Sequence, residues 1–403
     1  MGAVSDGDLV LNDEDQQKLR DYLTSIMPTR EMVDQYVTAN SHGEISCIPD
    51  LGWVPRGERQ SGDGVDDTYP FYSYGADRGR RAVNFPDRPS RIHTFGNSFT
   101  HCDQVSDGET WQEYLASHLQ EPVRNFGVGG WSVYQAFRRM RVVESGEHRD
   151  GMYRSPDSGA DQAEYLILNA WSDDHYRNLD AWRSVRMGRV PRWTLPYLRV
   201  SIEAETFEEM ANHCPTLDDH YKLCDADWVC ERFREDPVLR AYASRRAEVE
   251  ATEDLAAWVA DGFGFSETAY SDLDPAERIR ILHREAALFA TRCVIEMAEA
   301  FAKQNGRQLM VLLSLSSSDL KQALVNEPLY DQTLLDWLAT RDTLVTDLRD
   351  PFRQDFARSS LDVDAYLAPF YNGHHTPRGN YAFAWGIKDR VVDWLDPKPL
   401  SYG

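Results

Sequence analysis

The chain has 403 residues, of which 42% are hydrophobic and 11% aromatic, enough for one large domain with insertions or for two domains. Its formal net charge of −23 argues against a nucleic-acid-binding protein, because phosphate contacts require a basic surface. No apolar run reaches the roughly 18 residues that a membrane-spanning helix needs.

Two further features concern the compartment and the metal content. The first residues contain neither a basic region nor an apolar stretch of the kind that directs secretion, so we expect a cytoplasmic protein. The six cysteines form no Cys-x-x-Cys pair, and Cys224 and Cys230 lack histidines at zinc-binding spacing. We therefore expect reduced thiols and no metal, and the chemistry considered below needs no organic cofactor.

The first 90 residues divide into a helical part and an irregular part. Asn12 is placed to cap a helix over residues 16–26. Residues 41–90 are rich in glycine, proline, aspartate and aromatic residues, which is typical of loops and short strands. We expect residues 1–90 to form an N-terminal arm or small subdomain.

From residue 91 onwards, short apolar strands alternate with amphipathic helices. The predicted strands are 92–95, 123–126, 165–168, 309–315 and 343–347, and the predicted helices are 110–119, 132–143, 286–304, 334–339 and 381–395. Alternation of this kind predicts an α/β fold with a parallel sheet. The charged stretch 181–285 interrupts it and contains no strong strand. We therefore expect a core of residues 91–180 and 286–403, with 181–285 as a mainly helical insertion and a candidate lid.

Two distant segments carry the residues most suited to chemistry. Ser98 follows an apolar strand and sits beside Gly96, so it is predicted to lie in a tight strand-to-helix turn. A serine that opens a helix lies where backbone N–H groups point at a bound oxyanion. His374 and His375 lie in a loop rich in glycine and proline before the last helix. A nucleophile early in the chain and a base late in the chain predict a serine hydrolase.

Four blocks in order resemble the blocks of the SGNH (GDSL-type) hydrolase family. They are Gly96-Asn-Ser-Phe-Thr100, Asn125-Phe-Gly-Val-Gly-Gly130, Asn169-Ala-Trp-Ser-Asp-Asp174 and Asn372-Gly-His-His-Thr-Pro-Arg-Gly-Asn380. The resemblance covers roughly residues 91–175 and 290–396. It implies a three-layer α/β/α, flavodoxin-like fold with Ser98 as nucleophile. It also implies an oxyanion hole that includes Gly130, helped by Asn169 or Ser172.

The blocks depart from the family pattern at three places. Asn97 replaces the usual aspartate beside the serine, Ser172 occupies the slot of the family's asparagine, and Asn372 occupies the slot of the triad aspartate. The acid of a triad holds the imidazole tautomer and stabilises the imidazolium, so an amide in its place should reduce activity. Candidate substitutes are Asp173, Asp174 and Asp364, and the sequence does not rank them.

The identity of the base stays open between two histidines. Family members with an Asp-x-x-His ending would select His375. The alginate O-acetyltransferase-like form, Asp-x-His-Trp followed by proline and glycine, would select His374. The spacing of Pro377 and Gly379 fits the shorter form, so we favour His374.

A basic and aromatic stretch follows the third block. Arginines recur at positions 177, 183, 186, 189, 192 and 199, among Trp182, Trp193 and Tyr197. Arginine pairs bidentately with carboxylate or sulfate, so we expect a charged or carbohydrate-linked substrate. The alternative is that these arginines pair with the acids of the insertion. The predicted substrate-binding residues are Asn97, Trp171, Asp173, Asp174 and Arg177.

These residues predict an SGNH-type esterase acting on a small-molecule or carbohydrate ester, with neither nucleic acid nor membrane as a partner. Three alternatives remain. An acyltransferase would use a sugar hydroxyl in place of water, a lyase would use His374 as base, and a weakened domain would bind glycans or another protein. The sequence leaves the acyl group, the alcohol and the oligomeric state open.

Overall fold

The computed structural model describes residues 11–145, 162–188 and 193–402. The expectation about a secretion signal concerns residues outside these ranges, and so do Arg189 and Arg192 of the arginine-rich stretch. Within the described ranges, no helix combines the length and the apolar character that crossing a bilayer requires.

A five-stranded sheet, parallel throughout, forms the centre of the larger of two compact units. Its strands in chain order are β1 (Ile92–Phe95), β2 (Val123–Asn125), β3 (Tyr165–Trp171), β4 (Gln308–Ser314) and β5 (Leu344–Asp347). In space they follow the order β2-β1-β3-β4-β5. The predicted α/β class with a parallel sheet is confirmed.

Helices cover both faces of this sheet. Ile92 packs in a large apolar cluster with Trp111 and Leu115 of the helix Trp111–Leu119. The next residue along β1, His93, points to the opposite face because side chains alternate along a strand, and its Nδ1 lies 2.5 Å from Glu144 of the helix Val133–Glu144. The sheet is therefore the middle layer of three. Its central strands β3 and β4 contain continuous apolar runs because they are buried on both faces.

The predicted elements of this unit are present, with shifted boundaries. Strand β3 continues three residues beyond the predicted 165–168, because Asn169 within it satisfies its amide inside the protein. The last helix begins at Pro377, because Thr376 caps it. The other helices of the unit are Ser98–His101, Asp174–Arg177, Ser317–Leu324, Gln332–Leu338, Arg349–Phe356 and Val363–Leu367, and the minor strands are Glu58–Gln60, Phe71–Ser73, Tyr371–Asn372 and His374–His375.

The smaller unit is mainly helical and comprises the described parts of Met1–Thr38, Ile48–Gly52 and Leu179–Ala290. Its helices are Asp13–Ser25, Arg183–Met187, Ala226–Phe233, Pro237–Arg246 and Glu253–Gly262. The prediction that residues 181–285 hold no strong strand is wrong, since Tyr197–Ser201 and Thr206–Met210 form an antiparallel hairpin. Residues of the second strand are largely exposed and polar, so the hairpin has no apolar alternation to reveal it. The helices Arg30–His42 and Pro275–Gln304 each have residues in both units. The strands Ile45–Ile48 and Gly52–Pro55 also contain residues of both units.

The N-terminal 90 residues do not form one arm. The helix Asp13–Ser25 belongs to the smaller unit, where the hydroxyl of Tyr22 donates to the carbonyl of Val185 at 2.7 Å. Residues 53–90 belong to the unit of the parallel sheet. Side chains of this segment reach the predicted active-site loop, as described below.

Candidate active site

Ser98 lies at the carboxyl end of β1, next to the point where the chain order of the sheet reverses between β1 and β3. Open α/β sheets bind their ligands at such switch points. Gly96 makes the turn, and a Cβ at this position would lie 2.0 Å from Oγ1 of Thr100. Asn97 then caps the helix Ser98–His101 by accepting from the N–H of Phe99. Ser98 thus opens a helix, as predicted, and is mostly buried.

The second block packs directly against this turn. The N–H of Val128 donates to the carbonyl of Gly96 at 3.1 Å. Gly127 leaves no room for a side chain, because a Cβ there would lie 2.2 Å from the nitrogen of His101. Gly130, the predicted oxyanion glycine, has φ of 79°. The glycine-rich loop therefore follows the backbone of the Ser98 turn closely.

The ring of Phe99 joins the first, third and last blocks. It stacks on Trp171 at a centroid distance of 4.4 Å. The rings of His374 and His375 lie 4.9 Å and 5.0 Å from it, respectively. Because Phe99 is the residue next to Ser98, the structure brings the serine turn and the histidine loop together, although they are far apart in the sequence.

Asn97 is tied to the third block by a buried hydrogen bond. Its Nδ2 donates to Asp174 at 2.9 Å, and both side chains are fully buried. Asp174 also accepts from the N–H of Trp171 at 3.2 Å and from Nη1 of Arg177 at 2.7 Å. An aspartate at position 97 would place two carboxylates in contact, so Asp174 explains why an asparagine stands here.

Burial raises the pKa of Asp174 to about 7, against the influence of Arg177, the N–H of Trp171 and Asn97. Asp173 pairs with Nε of Arg177 at 2.9 Å, and the exposed Asp364 pairs with Lys321 at 2.7 Å. These three acids, the predicted substitutes for the triad aspartate, therefore have other partners. Among the described contacts, none joins them to His374 or His375.

The two residues predicted to assist Gly130 are engaged within the fold. Asn169 is fully buried in β3; its Nδ2 donates to Thr100 at 3.0 Å and its Oδ1 accepts from Ser314 at 2.9 Å. Oγ of Ser172 accepts from the N–H of Ser316 at 2.8 Å. In this arrangement the amide of Asn169 stabilises the Ser98 turn through Thr100.

The two loop histidines have different surroundings. His375 is buried against the rings of Tyr371 and Phe383, and burial, with His374 adding to it, lowers its pKa to about 3. The side chain of His374 is 28% exposed. Burial lowers its pKa too, while Asp103 acts in the opposite direction. His374 is therefore the histidine that solvent and a substrate can reach.

The orientation of His374 is fixed by Gln104, which the sequence did not single out. Oε1 of Gln104 accepts from the backbone N–H of His374 at 2.7 Å, and Nδ1 of His374 lies 3.1 Å from the same oxygen. Nε2 of Gln104 donates to the carbonyl of Asp63 at 2.7 Å. This hydrogen bond identifies which atom of the Gln104 amide is the nitrogen and which is the oxygen. Nδ1 must then carry the proton, which leaves the lone pair of neutral His374 on Nε2.

Asp103 is the carboxylate that faces His374. Its Oδ2 lies 4.0 Å from Nε2 of His374, and its Oδ1 lies 2.5 Å from Nδ1 of the buried His101. The other ring nitrogen of His101 lies 2.8 Å from the hydroxyl of Tyr74. An ionised carboxylate only accepts, so His101 donates to Asp103 and accepts from Tyr74. The triad position of the family, Asn372, is exposed, and none of the described hydrogen bonds of the His374 ring involves its side chain.

The turn that carries Asp103 and Gln104 has an unusual backbone. Cys102 and Gln104 both adopt positive φ, 64° and 73°, a region that non-glycine residues rarely occupy. Arg80 holds this turn: its guanidinium donates to the carbonyls of His101, Cys102 and Val105 and pairs with Asp107 at 2.9 Å. The hydroxyl of Tyr72 accepts from the N–H of Gln104 at 2.8 Å.

Arg177 belongs to this site, but its guanidinium is committed to Asp173, Asp174 and the carbonyl of Trp131. Arg183, Arg186 and Arg199 lie in the smaller unit, where Arg186 pairs with Asp180 at 3.0 Å. Arg177 and Arg186 therefore do pair with acids, but these acids lie at positions 173–180, before the insertion, and not within it as the alternative supposed.

In comparisons with known proteins, no family model matches this chain, and no curated protein sequence is similar to it.

Proposed function

We propose that this protein is a serine hydrolase of the SGNH type that cleaves an ester, with Ser98 as nucleophile and His374 as general base. The observation that carries the proposal is the position of the Phe99 ring, which packs against Trp171, His374 and His375. This contact supports a site in which the predicted nucleophile, the third block and the predicted base meet at the carboxyl ends of β1 and β3. The strand order 2-1-3-4-5, typical of flavodoxin-like folds, supports the same family.

The proposed chemistry is acyl transfer in two steps. Nε2 of neutral His374 takes the proton of the Ser98 hydroxyl as its oxygen attacks the ester carbonyl. The protonated imidazole then gives that proton to the leaving alcohol, and water hydrolyses the acyl-enzyme with His374 again as base. The N–H of Ser98 and that of Gly130 are the proposed donors to the oxyanion, and removal of one such donor typically costs about 3 kcal/mol of the barrier.

The substrate is proposed to carry an anionic group or a carbohydrate. Arg177 is occupied by acids, so Arg59, which lies near Asp103, is the cation proposed to meet an anion. Its side chain is exposed, and its guanidinium lies 4.9 Å above the ring of Tyr72. Arg59 is also near enough to Asp103 to help lower the pKa of that carboxyl.

The test is the hydrolysis of p-nitrophenyl acetate by the wild type and three variants. Ser98→Ala should lower kcat at least about 10³-fold, as expected for the loss of a nucleophile. Ser360→Ala removes an exposed hydroxyl and should leave kcat unchanged. His374→Gln should lower kcat about 10²- to 10⁴-fold, whereas His375→Gln should mainly reduce stability. Equal rates for the wild type and Ser98→Ala would refute the proposal.

A further inference from the structure

The carboxylate of a serine–histidine–aspartate triad has two tasks. It holds the imidazole in the tautomer whose free nitrogen faces the serine, and its charge stabilises the imidazolium that forms during the reaction. Asn372, in the slot of this carboxylate, is exposed and carries no charge. The two tasks must therefore be met elsewhere if Ser98 and His374 act as proposed above.

The first task is met by the amide of Gln104. Its oxygen lies 3.1 Å from Nδ1 of His374 and 2.7 Å from the backbone nitrogen of the same residue. Its nitrogen donates to the carbonyl of Asp63, so the amide cannot rotate by 180° without losing its hydrogen bonds to that carbonyl and to the backbone N–H of His374. An amide oxygen can fix a tautomer as well as a carboxylate does, but it brings no net charge.

The second task needs a negative charge close to the imidazole, and Asp103 supplies it. Its Oδ2 lies 4.0 Å from Nε2 of His374, too far for a direct hydrogen bond but close for a charge interaction. Burial opposes the ionisation of Asp103, yet the charge interaction and hydrogen bond with His101, followed by the charges of His374 and Arg59, bring its pKa down to about 2. Asp103 is therefore ionised wherever the enzyme would work.

We propose that the two tasks of a triad carboxylate are divided between adjacent residues, with Gln104 orienting His374 and Asp103 providing the charge that stabilises its protonated form. The inference rests on the proposed roles of Ser98 and His374. No proton passes to Asp103: it moves from Ser98 to Nε2 of His374 and from there to the leaving alcohol. Gln104 is a positioning residue, and Asp103 acts through the field at the imidazole.

The electrostatic balance at His374 sets the direction of the test. Burial and the charge of Arg177 disfavour the imidazolium, whereas Asp103 and, more weakly, Asp63 favour it. His375, next in the chain, stays neutral because of its own low pKa. Removing the charge of Asp103 should therefore lower the pKa of His374 further, and removing that of the exposed Asp63 should lower it less.

The experiment combines an NMR titration of the His374 imidazole, assigned with His374→Gln, with the pH dependence of kcat for p-nitrophenyl acetate. Asp103→Asn should move the titration midpoint about one pH unit lower and reduce kcat about 10- to 100-fold with little change in KM. Asp63→Asn is the matched control and should move the midpoint much less. Gln104→Glu should move it upwards, because it places a carboxylate at Nδ1.

The double variant Asp103→Asn/Gln104→Glu moves the charge by one residue and should recover most of the kcat that Asp103→Asn loses. Such recovery would also show that Asp103→Asn folds correctly. If Ser98→Ala abolishes activity while Asp103→Asn leaves both the midpoint and kcat unchanged, the division of tasks is refuted and the hydrolase proposal stands. If Ser98→Ala retains full activity, the hydrolase proposal itself fails, whatever the titration shows.

Discussion

Replacement of Asn97 by aspartate, the residue that the SGNH pattern has at this position, should destabilise this protein. The amide of Asn97 donates to Asp174 over 2.9 Å, and neither side chain is exposed. A carboxylate in its place loses the donor and faces a second carboxylate at hydrogen-bonding distance. One of the two must then stay protonated, because like charges this close cannot both ionise.

The magnitude follows from two contributions. The loss of a hydrogen bond to a charged acceptor costs about 1.5–3 kcal/mol. The pKa of Asp174 is about 7, so holding it protonated at pH 8 costs about 1.4 kcal/mol more. We expect Asn97→Asp to lower the free energy of unfolding by about 3–4 kcal/mol at pH 8. At pH 6, where Asp174 already holds a proton, the second contribution disappears and the loss is smaller.

The assay is urea unfolding of the wild type and the variant at pH 6 and pH 8. Asn372→Asp makes the same chemical change at an exposed position and should leave the free energy of unfolding nearly unchanged. Asn97→Asp/Asp174→Asn places the amide on the other side of the contact and should be more stable than the sum of the two single variants predicts. An equal loss at both pH values would refute the reasoning, and so would a loss no larger than that of Asn372→Asp.

Two further predictions concern the base and the glycine-rich loop. His374 must be neutral to accept a proton, and its pKa lies below the usual 6.5, so kcat/KM should fall at acid pH with a midpoint below 6.5. A pH–rate profile with a midpoint above 6.5 would contradict this. Gly127→Ala should lower the free energy of unfolding by about 2 kcal/mol or more, because its Cβ would lie 2.2 Å from the nitrogen of His101. Gly108→Ala is the control in the same urea assay. It should cost little, because Gly108 is exposed and the nearest atom would be 3.9 Å from the added Cβ. Equal losses for the two glycine variants would show that the loop yields to the added methyl group.

The strands, helices and convergence of the chemical blocks could be predicted from the sequence. Strands buried on both faces are continuous apolar runs, and the central strands β3 and β4 have this character over Tyr165–Leu168 and Leu309–Leu313. The position of Ser98 followed from the apolar strand before it and from Gly96, which are local signals. The hairpin Tyr197–Ser201 and Thr206–Met210 was missed because its second strand faces solvent with charged residues.

Gln104 and Asp103 could not be identified in this way. Their side chains reach His374 because the backbone at Cys102 and Gln104 turns through positive φ, and no glycine marks these positions. Arg80, which holds this turn, lies in a segment that the sequence predicts to be irregular. His374, the partner of Gln104, is 270 residues distant from it in the sequence. The local sequence offers one signal: His101 and Asp103 follow closely after the predicted nucleophile Ser98. Their spacing matches none of the catalytic motifs considered above.

The two amides that replace family carboxylates have one physical explanation under the proposed mechanism. Asn97 faces Asp174, and the region that a carboxylate at position 372 would serve already holds the charge of Asp103. A second carboxylate at position 97 would add repulsion without adding a new counter-charge, since Arg177 is occupied by Asp173 and Asp174. Under the proposed function, the amides at positions 97 and 372 therefore accompany carboxylates that lie elsewhere, with Asp174 beside Asn97 and Asp103 at 4.0 Å from His374.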